Sequence, residues 1–159
     1  MSSFDDALEF RFKADTTWAD AHEDDKAAVT RLWNWINSCK GNSAKFLAEY
    51  NQYFGNDSPF AWYLITDYFM AVDNRAKNMM LATWDSLIWY FLPYDMDTLF
   101  GVRNDSVLKY EYTITHESFD NSIGSYSFAG HDSVLWELVR SCPDKLREVA
   151  ETLRRQYEP

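Results

Sequence analysis

The sequence has little cysteine, glycine or proline, and fewer basic than acidic residues. Its 159 residues include two cysteines, five glycines and four prolines, and 15 lysines and arginines stand against 25 aspartates and glutamates. Cys39 and Cys142 form no C-x-x-C pair, which argues against a zinc site and against a disulfide framework. We therefore expect two buried, reduced thiols that are not bonded to each other.

The net charge of −10 argues against a nucleic-acid partner, because proteins that bind phosphates through their surface need an excess of lysine and arginine. An acidic surface serves solubility. It also fits a mimic of nucleic acid, so an acidic inhibitor of a host nucleic-acid-binding protein is one functional hypothesis.

Long apolar runs are also absent. The opening residues "MSSFDDALEFRF" are acidic where a signal peptide needs basic residues, and no apolar segment follows. No stretch of the chain approaches the roughly 20 apolar residues of a membrane span. We expect a protein without a signal peptide or membrane contact, located in the cytoplasm or associated with a virion.

Aromatic residues are abundant. Hydrophobic residues make up 47% of the chain and aromatic residues 18%, which excludes a disordered chain and predicts a core built largely from rings. The length predicts one domain over residues 1–159.

Helical spacing and capping signals predict three helices in the first half. One begins at about Glu23 and ends before Gly41, and Ser43 can cap a second over "AKFLAEYNQYF". Ser58 and Pro59 open the third, "FAWYLITDYFMAV". This third segment is apolar nearly all round, so we expect it to be the most buried helix. The side chains predicted to lie largely inside are Trp62, Leu64, Ile65, Tyr68, Phe69 and Val72.

The second half mixes strands with helices. "MMLATW" and "IWYFL" predict a hairpin that turns at Asp85 and Ser86. Further strands are predicted at "DALEFRFKA" and "VLKYEYTI", with a surface loop over residues 116–131. "DSVLWELVRSC" predicts a helix capped by Asp132 or Ser133, and Pro143 begins the last helix. The predicted fold class is α+β, a helix-rich single domain with a small antiparallel sheet.

Polar residues with the spacing of a phosphoryl-transfer site flank the predicted hairpin. Asp73 and Asn78 are five positions apart with Lys77 between them, and protein kinases space a catalytic aspartate and a metal-binding asparagine as D-x-x-x-x-N. After the hairpin, "DMDTLFG" offers Asp95 or Asp97 as a further ligand. Carboxylate and amide oxygens of this kind suit Mg²⁺.

A hairpin returns the chain to its start, so Leu92 should lie near Met79. The side chains that should then converge in one acidic pocket are those of Asp73, Asn78, Asp95 and Asp97. Lys77 or Arg75 would offset the repulsion between the carboxylates. The alternative is that these are turn and cap residues, with Lys77 a solvated charge.

The segment "YFMAVDNRAKNMMLATW…WYFLPYDMDTLFG" resembles the central segment of the spore-coat protein H (CotH) kinase-like family. That family shows an aromatic helix, D-x-x-x-K-N, a hairpin, and an aromatic-D-x-D-x-x-x-G motif. The similarity covers roughly Leu8 to Arg154 and is strongest from Tyr68 to Gly101. Related segments occur in tail and other structural proteins of tailed phages, with counterparts of "LEFR" and "SVLWELVR".

The resemblance implies a role for each residue of the pattern. Asp73 would be the catalytic base and Lys77 a phosphate contact. Asn78 and either Asp97 or Asp95 would hold a metal ion. The implied cofactors are Mg²⁺ and ATP, and the implied fold is that of the C-terminal lobe of an atypical kinase.

One departure from the family sets the leading hypothesis. Only 72 residues precede Asp73, and no G-x-G-x-x-G motif occurs, so we expect the catalytic half without its nucleotide lobe. The leading hypothesis is a phage-type structural or interaction module that binds a protein partner. A Mg²⁺-dependent protein kinase-like phosphotransferase is the first alternative.

Overall fold

The computed structural model describes residues 23–69, 71, 74–75, 79–96, 99–101 and 133–158. These residues form an α+β arrangement, as predicted, in which helices outnumber strands. The helices are α1 (Glu23–Ser38), α2 (Ser43–Glu49), α3 (Ser58–Tyr68), α4 (Val134–Arg140) and α5 (Pro143–Tyr157), and the strands are β1 (Met79–Thr83) and β2 (Trp89–Pro93). The predicted strands "DALEFRFKA" and "VLKYEYTI" and the predicted loop over 116–131 lie outside the described residues.

The first two helices follow local signals closely. Acidic residues occupy the first turn of α1, where they complement the helix dipole. Gly41 has a φ of 72°, a left-handed conformation that costs glycine little and lets the chain reverse before α2. The cap of α2 was predicted wrongly. Asn42 supplies it instead of Ser43, because the Asn42 side chain accepts a hydrogen bond from the Lys45 amide at 3.0 Å.

Helix α3 is shorter than predicted, and its residues differ in burial. Its buried residues include Phe60, Trp62 and Thr66, so the prediction for Trp62 is confirmed. The prediction for Tyr68 is wrong, because its side chain is 80% exposed at the end of the helix. Among the residues of α3, Tyr68 alone is exposed, whereas Ala61 and Leu64 are partly buried and pack against the core. Leu64, Ile65 and Phe69 are half-buried, and Val72 lies outside the described residues.

The hairpin forms where predicted, with a longer turn. Strands β1 and β2 are antiparallel, and the register pairs Met79 with Pro93 and Met80 with Leu92. Leu92 is therefore one position from the partner of Met79, close to the expected place. The turn spans residues 84–88 instead of two residues, because the Asp85 carboxylate accepts hydrogen bonds from the amides of Leu87 and Ile88.

Aromatic rings fill the space between the helices and the hairpin. Phe91 of β2 stacks on Phe54 and on Trp62, with centroids 5.6 and 5.8 Å apart. It also packs against Trp136 of α4 at 5.4 Å. These contacts seat β2 against both α3 and α4, which confirms that the core is built from rings.

Both cysteines lie in this core as predicted. Cys39 and Cys142 are buried and free, so the prediction that they are not bonded to each other is confirmed. Burial raises the pKa of the Cys142 thiol, which keeps it protonated at neutral pH.

The last two helices start at the predicted residues. Ser133 caps α4 by accepting a hydrogen bond from the Trp136 amide, and Pro143 is the first residue of α5. Lys145 in the first turn of α5 forms an ion pair with Asp57 at the start of α3, with 3.1 Å between Nζ and Oδ2. Within the described ranges, no helix has both the length and the apolar character of a membrane span.

Candidate functional site

One of the five predicted site residues lies within the described part of the chain. Asp95 is exposed just after β2. Asp73, Lys77, Asn78 and Asp97 lie outside the described residues. Their neighbours Asn74, Arg75, Tyr94 and Met96 are described, and these show how the fold holds the chain on each side of the hairpin.

Asn74 and Arg75 form a buried turn between α3 and β1. The Asn74 side chain is 0% exposed and Arg75 is also buried. Two indole groups bind the backbone here. Trp62 of α3 donates to the Asn74 carbonyl at 2.9 Å, and Trp136 of α4 donates to the Arg75 carbonyl at 2.8 Å. Two helices thus fix two consecutive peptide groups, which leaves this turn little freedom.

The Arg75 side chain points back to α3. Its Nε donates to the Thr66 hydroxyl at 2.8 Å, and its Nη2 donates to the Tyr63 carbonyl at 2.9 Å. The same guanidinium forms an ion pair with Asp67 and lies over the Tyr63 ring. A buried cation needs such partners, since an unpaired charge inside a protein is strongly unfavourable. The charge of Arg75 is therefore engaged by α3.

A side-chain hydrogen bond joins the two sides of the hairpin. Asn74 Nδ2 donates to the Tyr94 carbonyl at 2.9 Å. Asn74 directly follows Asp73 in the chain, and Tyr94 directly precedes Asp95. The described neighbours of the two motifs are thus in contact.

A second contact lies beyond the acidic motif. The Phe100 amide donates to the Phe69 carbonyl at 2.6 Å, and the two rings meet edge to face at 5.6 Å. Phe69 is the residue that follows α3. The described residues on both sides of Asp97 are therefore bound to the segment that leaves α3, Tyr94 through Asn74 and Phe100 through Phe69.

The Asp95 backbone has an unusual conformation. Its φ is 46°, in the left-handed region, which aspartate tolerates better than most residues but which still carries a cost. Phe100 also has a positive φ of 60°. Such conformations persist where surrounding contacts impose them.

The sequence did not reveal the structural importance of Asn74. It pointed to Arg75 only as a positive charge that would offset the repulsion between the carboxylates. The available signal was indirect. Trp62 and Trp136 each carry an indole N–H that needs an acceptor when buried, and an uncapped turn after α3 offers carbonyl groups. No local pattern shows which carbonyls those are.

Among the described residues, no group of three or more histidine, cysteine, aspartate or glutamate side chains could hold a metal ion. Asp95 is the one predicted site residue to which this result applies, because the other four lie outside the described residues. Its carboxylate is an exposed, hard oxygen donor of the kind that Mg²⁺ prefers.

A second feature is the hairpin tip, which we define as residues 84–88. Trp84 is 81% exposed and Leu87 is 53% exposed. Trp84 meets the ring of Tyr90 edge to face at 5.7 Å. An open, mainly apolar groove of about 590 Å³ lies here, lined by Trp84, Asp85, Ile88, Tyr90, Phe91 and Leu92.

Comparison with known proteins gives the family. No curated protein and no solved structure matches the chain. A family model described as CotH kinase protein matches residues 2–145. The match covers most of the 159 residues, and the chain therefore belongs to the CotH kinase protein family.

Proposed function

We propose that this chain is a structural or interaction module of the kind found in tailed-phage proteins, and that it binds a protein partner through the hairpin tip. The resemblance to CotH segments of phage tail proteins supports the phage assignment. The same resemblance supports association with a virion, and the net charge of −10 argues against direct contact with nucleic acid.

The observation that carries this proposal is the exposure of Trp84 beside an apolar groove. A tryptophan that is 81% exposed presents a large apolar surface to water. Tryptophan is also among the residues that contribute most to protein interfaces. With the Tyr90 ring against it, Trp84 supplies the aromatic anchor for a partner surface.

The hairpin tip is held in place before any partner binds. The Asp85 carboxylate accepts from the Leu87 and Ile88 amides, and Arg31 of α1 donates to the Leu87 carbonyl. A surface that is already ordered loses less conformational entropy on binding, which favours affinity.

The test places a photo-crosslinking amino acid at position 84 and, as a matched control, at position 33. Trp33 is also half-exposed but lies on α1. We expect one partner protein to crosslink from position 84 and not from position 33 in cells that produce the protein. With the purified partner, Trp84→Ala should weaken binding by at least about tenfold and Trp33→Ala should not. Equal crosslinking from both positions, or from neither, would overturn the proposal.

The second candidate is a Mg²⁺-dependent phosphotransferase. The contacts from Asn74 to Tyr94 and from Phe100 to Phe69 favour it, because they join the described neighbours of the predicted catalytic and metal-binding residues. Asp73 would orient the acceptor hydroxyl and Lys77 would bind phosphate. Asn78 with Asp95 or Asp97 would hold Mg²⁺, which when bound supplies positive charge against the phosphate oxygens.

Thermal melting with and without Mg²⁺ and ATP tests this candidate. A ligand at about 100 times its dissociation constant stabilises the folded state by about 2.7 kcal/mol. Asp97→Ala should abolish that stabilisation, whereas Asp24→Ala, which removes an exposed carboxylate from the first turn of α1, should keep it. An unchanged melting temperature in the wild type would exclude the phosphotransferase and leave the interaction module untouched.

A further inference from the structure

Asn74 has no exposed surface, and its side-chain amide links two segments that are far apart in the sequence. It lies in the turn before β1 and donates to the carbonyl of Tyr94, 20 residues later and just after β2. Burying a polar side chain is unfavourable unless hydrogen bonds replace those lost to water, so the hydrogen bond to Tyr94 stabilises the buried position of the Asn74 side chain.

The backbone that carries Asn74 is fixed independently of this contact. Trp62 binds the Asn74 carbonyl and Trp136 binds the Arg75 carbonyl. Arg75 in turn is bound to Thr66 and Asp67 of α3. The backbone of Asn74 is therefore held in place by α3 and α4. The hydrogen bond to Tyr94 restrains the segment after β2 relative to it.

The residue next to the acceptor is Asp95. It is exposed and has a φ of 46°. An exposed aspartate in a left-handed conformation is not held there by burial of its side chain. The carbonyl of the preceding residue is bound to Asn74, which restrains the peptide group that joins Tyr94 to Asp95.

We propose that Asn74 is a positioning residue, which acts through the Tyr94 carbonyl to set the place and backbone conformation of Asp95 before any ligand binds. The consequence for Mg²⁺ binding rests on the second candidate function. Removing a residue that orients a metal ligand through hydrogen bonds commonly weakens metal binding by about 10- to 100-fold.

The test compares Asn74→Ala with Asn42→Ala as a matched control. The Asn42 side chain accepts a hydrogen bond from the Lys45 amide at 3.0 Å, at the start of α2. Amide hydrogen exchange at residues 94–96 should accelerate roughly fivefold or more in Asn74→Ala and stay unchanged in Asn42→Ala. Calorimetric titration with MgCl₂ alone should show at least about tenfold weaker binding in Asn74→Ala only.

The role of Asn74 can still be decided in two other cases. If the wild type binds no Mg²⁺, the phosphotransferase candidate fails, and the exchange data still decide the role of Asn74. If Asn74→Ala does not fold, exchange of the Asn74 side-chain amide protons in the wild type decides it, because the bond to Tyr94 must slow that exchange. Exchange at residues 94–96 that is equal in wild type and Asn74→Ala, or Asn74 amide protons that exchange as fast as in a free peptide, would overturn the proposal.

Discussion

The guanidinium carbon of Arg75 lies 3.9 Å from the centroid of the Tyr63 ring. The cation is thus stacked on α3, where Thr66 and Asp67 also bind it. This buried charged residue links the turn before β1 to the helix that precedes it. The energetic importance of this contact leads to the first prediction.

Replacing Arg75 with methionine should lower the free energy of unfolding by on the order of 3 kcal/mol. The substitution keeps much of the aliphatic side chain but leaves the Tyr63 carbonyl and the Asp67 carboxylate without their described cationic partner. Chemical denaturation measures the change. Arg147→Met is the control, since Arg147 pairs with Asp144 on the exposed face of α5 and its loss should not be measurable. Equal effects of the two substitutions would contradict the prediction.

Gly55 and Tyr90 should show strong energetic coupling. A methyl group at Gly55 would lie 2.4 Å from a ring carbon of Tyr90, well inside van der Waals contact. Gly55→Ala should therefore cost about 1–2 kcal/mol of stability in the wild type. In a Tyr90→Ala background the same change should cost almost nothing, because the obstructing ring is gone. Denaturation of all four proteins gives the coupling, and additive costs would show that the ring does not constrain this position.

Stability should fall at alkaline pH through Tyr50 and Lys145. Burial and the hydrogen bond to Asp57 raise the pKa of Tyr50 above the ordinary 10.0. Burial alone would lower the pKa of Lys145, but hydrogen bonds to Glu148 and Asp57 outweigh it and raise the pKa above 10.5. Both groups hold their protons more tightly in the folded state. Their contribution is complete below these ordinary values and is lost as pH rises through the raised pKa values.

The measurement is the free energy of unfolding from pH 8 to about pH 12, the range in which phenol and ammonium groups lose their protons. The wild type should lose stability above about pH 10, and Tyr50→Phe should lose it less steeply because one titrating group is gone. Lys40→Met, on the exposed turn after α1, should follow the wild type. A Tyr50→Phe curve parallel to that of the wild type would be the contrary result.

The turn of the hairpin should depend on the Asp85 acceptor oxygen. Hydrogen bonds from the Ile88 and Leu87 amides lower the pKa of Asp85 below its usual 3.8. A carbon-detected NMR titration should therefore give a midpoint under 3.8, and the stabilisation by Asp85 should disappear as pH falls through that midpoint. Asp85→Asn keeps an acceptor and should preserve slow exchange of the Leu87 and Ile88 amides, whereas Asp85→Ala should not. Equal exchange in both variants would show that the turn forms without the side chain.

Several elements could be predicted from the sequence because their causes are local. Helix α1 begins at Glu23, α3 begins at Ser58 and α5 begins at Pro143, all as expected from caps, prolines and acidic first turns. These signals depend on residues within about one helical turn. The hairpin was likewise predictable from two short apolar segments. In its register, Leu92 is one position from the residue that pairs with Met79. The segment around the hairpin also resembles the CotH family, and the family model matches residues 2–145.

The candidate site was predictable only in outline. The sequence placed two polar motifs at the ends of a hairpin, and the contact between Asn74 and Tyr94 agrees with that arrangement. The roles of Asp73, Lys77, Asn78, Asp95 and Asp97 stay predictions. The residues that hold the turn were missed, because the partner of the Arg75 carbonyl is Trp136, 61 residues away in the chain.

The sequence by itself determined where most of the helices begin, where the hairpin forms, and that rings would fill the core, since each depends on local propensity or on composition. Only the tertiary structure decided which apolar face is covered. Tyr68 is exposed and Arg75 is buried, the reverse of what their side chains alone suggest. The physical reason is that the burial of a side chain depends on which groups pack around it in the folded protein. Arg75 finds an aromatic face, a carbonyl group and a carboxylate on α3, whereas Tyr68 ends the same helix beyond the reach of the core.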